Sequence, residues 1–69
     1  MRVTVVIGQS AEIDLSQPAL QQLEGGAYTE TRIAPGGHRI VITGDSPGEE
    51  TLRFQLEDES EIDIEVVVT

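Results

Sequence analysis

The sequence predicts an all-β protein, folded as a small antiparallel β-sandwich of six or seven short strands. Apolar and polar residues alternate through most of the chain, and this is the period of a half-buried strand. Clusters of Gly, Pro, Asp and Ser separate the alternating runs at short intervals. Because parallel neighbours need crossover connections of about a dozen residues or more, these short connections favour antiparallel pairing.

Three strands are predicted in the first half of the chain. Residues 2–7 are almost entirely β-branched and predict a strand that is buried on much of both sides. Residues 12–15 predict a short second strand. Residues 28–33 are rich in Thr and predict a weaker strand that lies at the edge of a sheet.

Three further strands are predicted at residues 38–43, 51–57 and 61–68, where apolar side chains occupy every second position. In the last two strands one face is apolar and the other is largely charged. The inward positions of all the predicted strands define an expected core, which consists of Val3, Val5, Ile7, Ile13, Leu15, Ile40, Ile42, Leu52, Phe54, Leu56, Ile62, Ile64 and Val66.

One segment breaks the alternation and predicts a short helical turn at residues 16–23. It begins with a Ser16 cap and an early Pro18, and a Gly pair follows it. We expect this turn to cross the end of the sandwich with Leu20 and Leu23 in the core. The alternative is the single helix of a β-grasp fold, which the shortness of the segment disfavours.

Length and composition limit the classes of function. The 69 residues predict a single domain over residues 1–69, with little room for a deep cleft, since a domain of this size buries only about 60% of its unfolded surface. The chain has no Cys, which excludes disulfides, thiolate metal sites and a cysteine nucleophile. No wholly apolar run exceeds three residues, as at residues 66–68, which is far short of the roughly 20 residues that span a bilayer, so no membrane insertion is expected.

Charge is the strongest compositional signal. Asp and Glu number 13 against 4 Arg and no Lys, so the formal net charge is −9, and we expect no direct binding to nucleic-acid phosphate. Three interpretations fit: a solvated surface that keeps a small β protein soluble, a surface that binds Ca²⁺, or an acidic mimic of nucleic acid. Composition favours the first interpretation and leaves the other two open.

No catalytic constellation is evident, and the sequence predicts that the protein is not an enzyme. His38 is the only His and follows a Gly pair at the start of a strand, where a side chain faces solvent. The serines stand in turn or cap positions, where a hydroxyl normally bonds the local backbone. We assign no catalytic, cofactor-binding or metal-binding residue, and no cofactor is expected.

Two acidic loops are the candidates for a calcium site. Residues 45–50 and 57–61 carry carboxylates that can serve as ligands if folding brings both loops to one end of the sandwich. Neither loop has the ligand spacing of an EF-hand. The sequence therefore favours soluble acidic loops over a calcium site.

Parts of the chain resemble bacterial immunoglobulin-like modules. Residues 40–68 contain a strand ending at Gly44, a Pro47-Gly48 turn, a strand closed by Asp58, and a terminal strand with Val66-Val67-Val68. This order is similar to the closing three strands of those modules. Residues 8–15 resemble their opening, including that of the small domain at the start of bacterial pilus-assembly secretins. The resemblance implies an immunoglobulin-like sandwich used as a spacer, adhesion or assembly module, without catalytic residues.

The expected function is that of a non-catalytic structural or protein-interaction module that associates through an edge strand or a sheet face. Residues 2–7 and 27–33 carry few of the charges and prolines that normally protect edge strands. One of them is therefore predicted to dock against a second copy or a neighbouring domain. The alternative is a small acidic inhibitor that mimics nucleic acid and occupies the basic groove of a nucleic-acid enzyme.

Overall fold

The computed structural model describes residues 1–69 and contains seven β-strands and no helix. The strands are β1 (Arg2–Val5), β2 (Ser10–Asp14), β3 (Ala19–Glu24), β4 (Thr29–Ile33), β5 (Arg39–Gly44), β6 (Gly48–Leu56) and β7 (Glu61–Val68). They form a four-stranded sheet in the order β1-β7-β6-β3 and a three-stranded sheet in the order β2-β5-β4. The all-β class and the two-sheet architecture predicted from the alternation are confirmed.

Strand pairing is antiparallel except between β1 and β7, which run parallel with Arg2 opposite Glu65. Short turns favour antiparallel pairing only between strands that follow each other in the chain, whereas five strands separate β1 from β7. Beyond β1 the chain reaches the other sheet, where Ile7 forms an isolated bridge with Gly44. The N-terminal segment therefore touches both sheets along one side of the sandwich.

The core lies between the two sheets and receives buried apolar side chains from all strands except β4, which contributes the buried Thr29 and the partly buried Ile33. Its 11 buried apolar residues are Val5, Ile13, Ala19, Ile40, Ile42, Leu52, Phe54, Leu56, Ile64, Val66 and Val68. Most of the predicted core positions are confirmed, and Val3, Leu15 and Ile62 are partly buried against the cluster. The prediction for Ile7 is wrong: this side chain is 45% exposed, because the chain has left β1 at that point.

The prediction of a helical turn at residues 16–23 is wrong, and so is the β-grasp alternative that depends on a helix there. Most of the segment belongs to β3, the edge strand that pairs with β6. The register of this pairing shifts at Leu20 and again at Leu23, as it does at β-bulges. These side chains are 57% and 41% exposed, so they do not fill the core. The two leucines stand three residues apart, which is typical of one face of a helix, but here each of them lies at a register shift of an edge strand.

Candidate functional site

The candidate catalytic side chains lie apart and make local contacts. The His38 side chain is exposed, and its Nδ1 atom lies 3.3 Å from the Leu15 carbonyl oxygen. Ser10 Oγ lies 2.7 Å from Thr43 Oγ1, and the Ser60 hydroxyl bonds a carboxylate of its own turn. The structure therefore does not bring His38 together with a serine and a carboxylate in a nucleophilic arrangement.

The two acidic loops lie at opposite ends of β6. The loop predicted at residues 45–50 overlaps the start of β6 at Gly48, and the loop predicted at residues 57–61 follows its last residue, Leu56. At about 3.3 Å per residue, a strand of this length separates its ends by roughly 26 Å. No group of three or more His, Cys, Asp or Glu side chains is placed to hold a metal ion. The condition under which both loops supply one calcium site is therefore not met.

The Asp58 carboxylate stabilises the turn between β6 and β7. It accepts a hydrogen bond from Ser60 N at 3.0 Å and another from Gln17 Nε2 at 3.1 Å. Hydrogen bonds from the Ser60 hydroxyl, the Ser60 backbone and the Gln17 side chain hold the pKa of Asp58 below its ordinary value. This acid has a local structural role.

The outer face of the four-stranded sheet is acidic around a central arginine. Arg53 Nε lies 2.9 Å from Asp63 Oδ1 and 3.6 Å from Glu61 Oε1, and Arg53 Nη1 lies 3.2 Å from Glu24 Oε1. The hydrogen bond from Arg53 holds the pKa of Asp63 below its ordinary value. A shallow depression of about 270 Å³ lies on the same sheet, and Glu65 is among the residues that line it.

Glu50, on β6, anchors the connection between β3 and β4. Its carboxylate accepts hydrogen bonds from Gly26 N at 2.8 Å, Ala27 N at 2.9 Å, Tyr28 N at 3.0 Å and Thr29 Oγ1 at 2.8 Å. Burial by itself raises the pKa of Glu50, but these hydrogen bonds outweigh it and hold the pKa below its ordinary value. Because Thr29 is the first residue of β4, Glu50 fixes the point where that edge strand begins.

The two sheets present four edge strands, namely β1, β3, β2 and β4, and two of these are protected. The bulges in β3 interrupt its regular backbone pattern. β2 carries Glu12 and Asp14, which lie 3.8 Å and 2.9 Å from the Arg39 guanidinium. Charges and bulges of this kind discourage pairing with another chain.

The β1 edge offers little free backbone. The Met1 carbonyl accepts a hydrogen bond from Glu65 N at 2.8 Å, and the Val5 carbonyl accepts one from Thr69 N at 2.9 Å. The N–H and C=O groups of successive residues point alternately to the two sides of a strand. In β1, therefore, Arg2 and Thr4 direct these groups away from β7. Val5 is turned toward β7, so a substitution there does not probe the edge.

The β4 edge pairs with β5 in one unbroken register. Hydrogen bonds at its two ends, Asp45 N to the Tyr28 carbonyl at 2.9 Å and Ala34 N to the Arg39 carbonyl at 2.8 Å, show that even-numbered residues pair with β5. The residues whose N–H and C=O groups point away from β5 are therefore Thr29, Thr31 and Ile33. Thr31 and Ile33 are partly exposed, whereas Thr29 is only 4% exposed, so the accessible part of this edge lies at Thr31 and Ile33. The prediction that residues 27–33 contain an edge strand is confirmed.

Two charged side chains of β4 have no partner in the molecule. Glu30 and Arg32 are exposed, and they occupy alternate positions on the face of the strand opposite the core. Neither forms a salt bridge or a side-chain hydrogen bond, whereas the other three arginines, Arg2, Arg39 and Arg53, all form salt bridges. β4 is therefore an open edge with unsatisfied charges of opposite sign.

Sequence reasoning identifies the β4 segment as an edge but misses the anchor that positions it. Glu50 lies 21 to 24 residues from the groups that it binds. No local pattern marks such a contact, since it depends on β6 of one sheet lying next to the connection into the other.

Comparison with protein-family models, with curated proteins and with solved structures finds no match to this chain. The structure contains no helix that is long and apolar enough to cross a membrane.

Proposed function

We propose that this protein is a non-catalytic structural or protein-interaction module that associates through an edge strand. The observation that carries the proposal is the β4 edge, where the partly exposed Thr31 and Ile33 direct backbone groups away from β5. Unpaired backbone groups on a regular edge are a template for adding a strand from another chain. Glu50 anchors the start of this strand, so the edge is held in place before a partner arrives.

We also propose that the sandwich is immunoglobulin-like. The orders β2-β5-β4 and β7-β6-β3 correspond to the B-E-D and G-F-C orders of the seven-stranded immunoglobulin arrangement. The first strand differs, because β1 pairs in parallel with the last strand and not with β2. Immunoglobulin-like sandwiches serve in many unrelated cell-surface and assembly proteins, so this topology supports a spacer or interaction module without specifying its partner.

Proline substitution at the two unprotected edges tests the function. Thr31→Pro removes an outward N–H from β4 and leaves the β4–β5 ladder intact. We therefore expect it to abolish association of this protein with itself or with a partner domain, as measured by sedimentation. Thr4→Pro is the matched control, because it removes an outward N–H from β1. If neither variant changes any association of this protein with itself or with an added partner domain, the edge-strand function is wrong.

The acidic inhibitor remains the second candidate because of the outer face of the four-stranded sheet. That face carries Glu24, Glu49, Glu61, Asp63 and Glu65 against Arg2 and Arg53. A complex between this face and a basic groove weakens steeply as salt rises, whereas backbone strand pairing persists. Binding to a basic nucleic-acid enzyme that is lost at high salt and unaffected by Thr31→Pro would support the inhibitor over the interaction module.

A further inference from the structure

We infer that β4 pairs with β4 of a second copy of this chain, antiparallel and centred on Thr31. The two three-stranded sheets then join into one six-stranded sheet across a two-fold axis perpendicular to the sheet. This inference rests on the proposed edge-strand function and names the partner for that edge.

The backbone of β4 matches its own copy in this register. Thr31 lies opposite Thr31 of the second copy, and Thr29 lies opposite Ile33. All three residues direct their N–H and C=O groups away from β5. Thr31 and Ile33 are partly exposed, so the opposed Thr31 residues exchange two backbone hydrogen bonds. Thr29 is only 4% exposed, so pairing of Thr29 with Ile33 requires the residues that cover Thr29 to move aside. The dimer gains about two backbone hydrogen bonds at Thr31 and about four more once Thr29 is uncovered, without disturbing the ladder inside either copy.

The charges of β4 are self-complementary about the same centre. In this register Glu30 of each copy lies opposite Arg32 of the other, on the outer face of the joined sheet. Directly opposed residues of opposite charge stabilise an antiparallel pair. Neither side chain has a partner within one copy, so forming these two ion pairs breaks no existing salt bridge.

The other edges do not support the same arrangement. If β2 paired with its own copy about its centre, Glu12 would lie opposite Glu12, which is repulsive. The bulges of β3 interrupt its ladder of backbone hydrogen bonds. In β1 only two residues have N–H and C=O groups that point away from β7. β4 is the edge on which backbone direction, regular register and charge agree.

β3 lies next to β4, and the Thr31 hydroxyl donates a hydrogen bond to Gln22 Oε1. The two-fold operation that pairs β4 with its copy therefore also brings β3 toward its copy. Leu20 and Leu23, both substantially exposed in one copy, lie on this strand.

Charge reversal in β4 tests the inference by sedimentation equilibrium across a range of protein concentrations. Arg32→Glu and Glu30→Arg each place like charges opposite each other at both ion-pair positions, so each variant is expected to weaken the dimer by roughly tenfold or more. Mixing the two variants makes both positions complementary again, so a heterodimer is expected. The double variant Glu30→Arg/Arg32→Glu is expected to recover the homodimer.

Two controls separate the register from general effects of charge and folding. Arg2→Glu changes the net charge by the same amount as Arg32→Glu, but it lies on β1, so it is expected to leave the dimer intact. Far-ultraviolet circular dichroism and a urea melt of each variant establish that it is folded. Recovery in the mixture is a second safeguard, because unfolded variants do not recover a dimer by mixing.

The possible results discriminate between the inference and the broader function. A wild-type chain that stays monomeric at millimolar concentration overturns the inference, as does a dimer that survives both charge reversals and Thr31→Pro. In either case, the broader proposal of an edge-strand interaction module would still stand if Thr31→Pro or Thr4→Pro abolished binding of this protein to another chain. If the wild type is monomeric and neither proline variant affects any binding, both proposals are wrong.

Discussion

Glu50 shows how one carboxylate in a strongly acidic chain stabilises the fold. It accepts hydrogen bonds from three backbone N–H groups and one hydroxyl, all in the connection that leads into β4. This arrangement suits an anion only, since every partner is a donor.

Glu50→Gln is expected to lower the free energy of unfolding by about 1–3 kcal/mol at neutral pH. The amide has one acceptor oxygen and an NH₂ group, and that NH₂ group must face donors such as Tyr28 N. Urea melts of wild type and variant measure the difference. Glu49→Gln is the matched control, because this neighbouring acid is exposed and pairs only with Arg2 at 3.1 Å. Equal effects of the two substitutions would contradict the anchoring role.

The same contact sets a pH dependence. The pKa of Glu50 is lower in the folded than in the unfolded protein, so the folded state favours the carboxylate. Its contribution is fully present above the unfolded pKa, about 4.3, and is lost as the pH falls through the lower folded pKa. Between about pH 6 and pH 3 the wild type should therefore lose more stability than Glu50→Gln. Parallel loss in both proteins would show that Glu50 does not contribute.

Phe54 is the largest side chain that is fully buried, and its position fixes the register of β6. Phe54→Ala should cost about 3–5 kcal/mol, which is a large part of the total stability of a domain of this size. Thr51→Ala, at an exposed position of the same strand, should change the free energy of unfolding by less than about 0.5 kcal/mol. A loss below about 1 kcal/mol for Phe54→Ala would place this ring outside the core.

β3 is the element whose type the sequence mispredicts. Residues 16–23 have a cap, an early proline and two leucines three residues apart, all typical of a helix start. A helix of one or two turns is marginal without tertiary contacts, whereas pairing with the long strand β6 satisfies the backbone of the segment. Tertiary pairing therefore decides the conformation, and the bulges accommodate the leucine spacing.

Leu20→Thr and Leu23→Thr distinguish the bulged edge strand from a helix with a buried face. Both leucines are exposed, and Thr favours strands, so each change should alter the free energy of unfolding by less than about 1 kcal/mol. If these leucines were in the core, truncating either of them would instead lower the free energy of unfolding by about 2–5 kcal/mol. Urea melts measure the effect, and a loss in the higher range for either variant would contradict the β3 assignment.

The acidic loops at the two ends of the sandwich lead to a prediction about calcium. Because β6 separates them, they cannot share one ion, and adding millimolar Ca²⁺ should raise the melting temperature very little. Thermal melts in Na⁺ at matched ionic strength provide the control. A rise of many degrees that occurs with Ca²⁺ alone would show a site formed by one loop or by a second copy.

The net charge of −9 bears on how two copies meet. Copies of like charge repel each other over a distance that salt shortens, from about 30 Å at 0.01 M to about 10 Å at 0.1 M ionic strength. Pairing through β4 should therefore persist or strengthen as salt rises from low values. Acid-to-base contacts with another protein should weaken under the same conditions.

Hydrophobic alternation along the chain was sufficient to predict the all-β class, most of the core and the exposed face of each later strand. This information is local, because period-two alternation determines which side chains of one strand face the core. It does not determine which strands become neighbours. The parallel pairing of β1 with β7, the strand at residues 19–24 and the anchoring of β4 by Glu50 all depend on segments distant in the chain. Tertiary structure decided these features, because backbone and carboxylate groups bind whatever partners folding brings within reach.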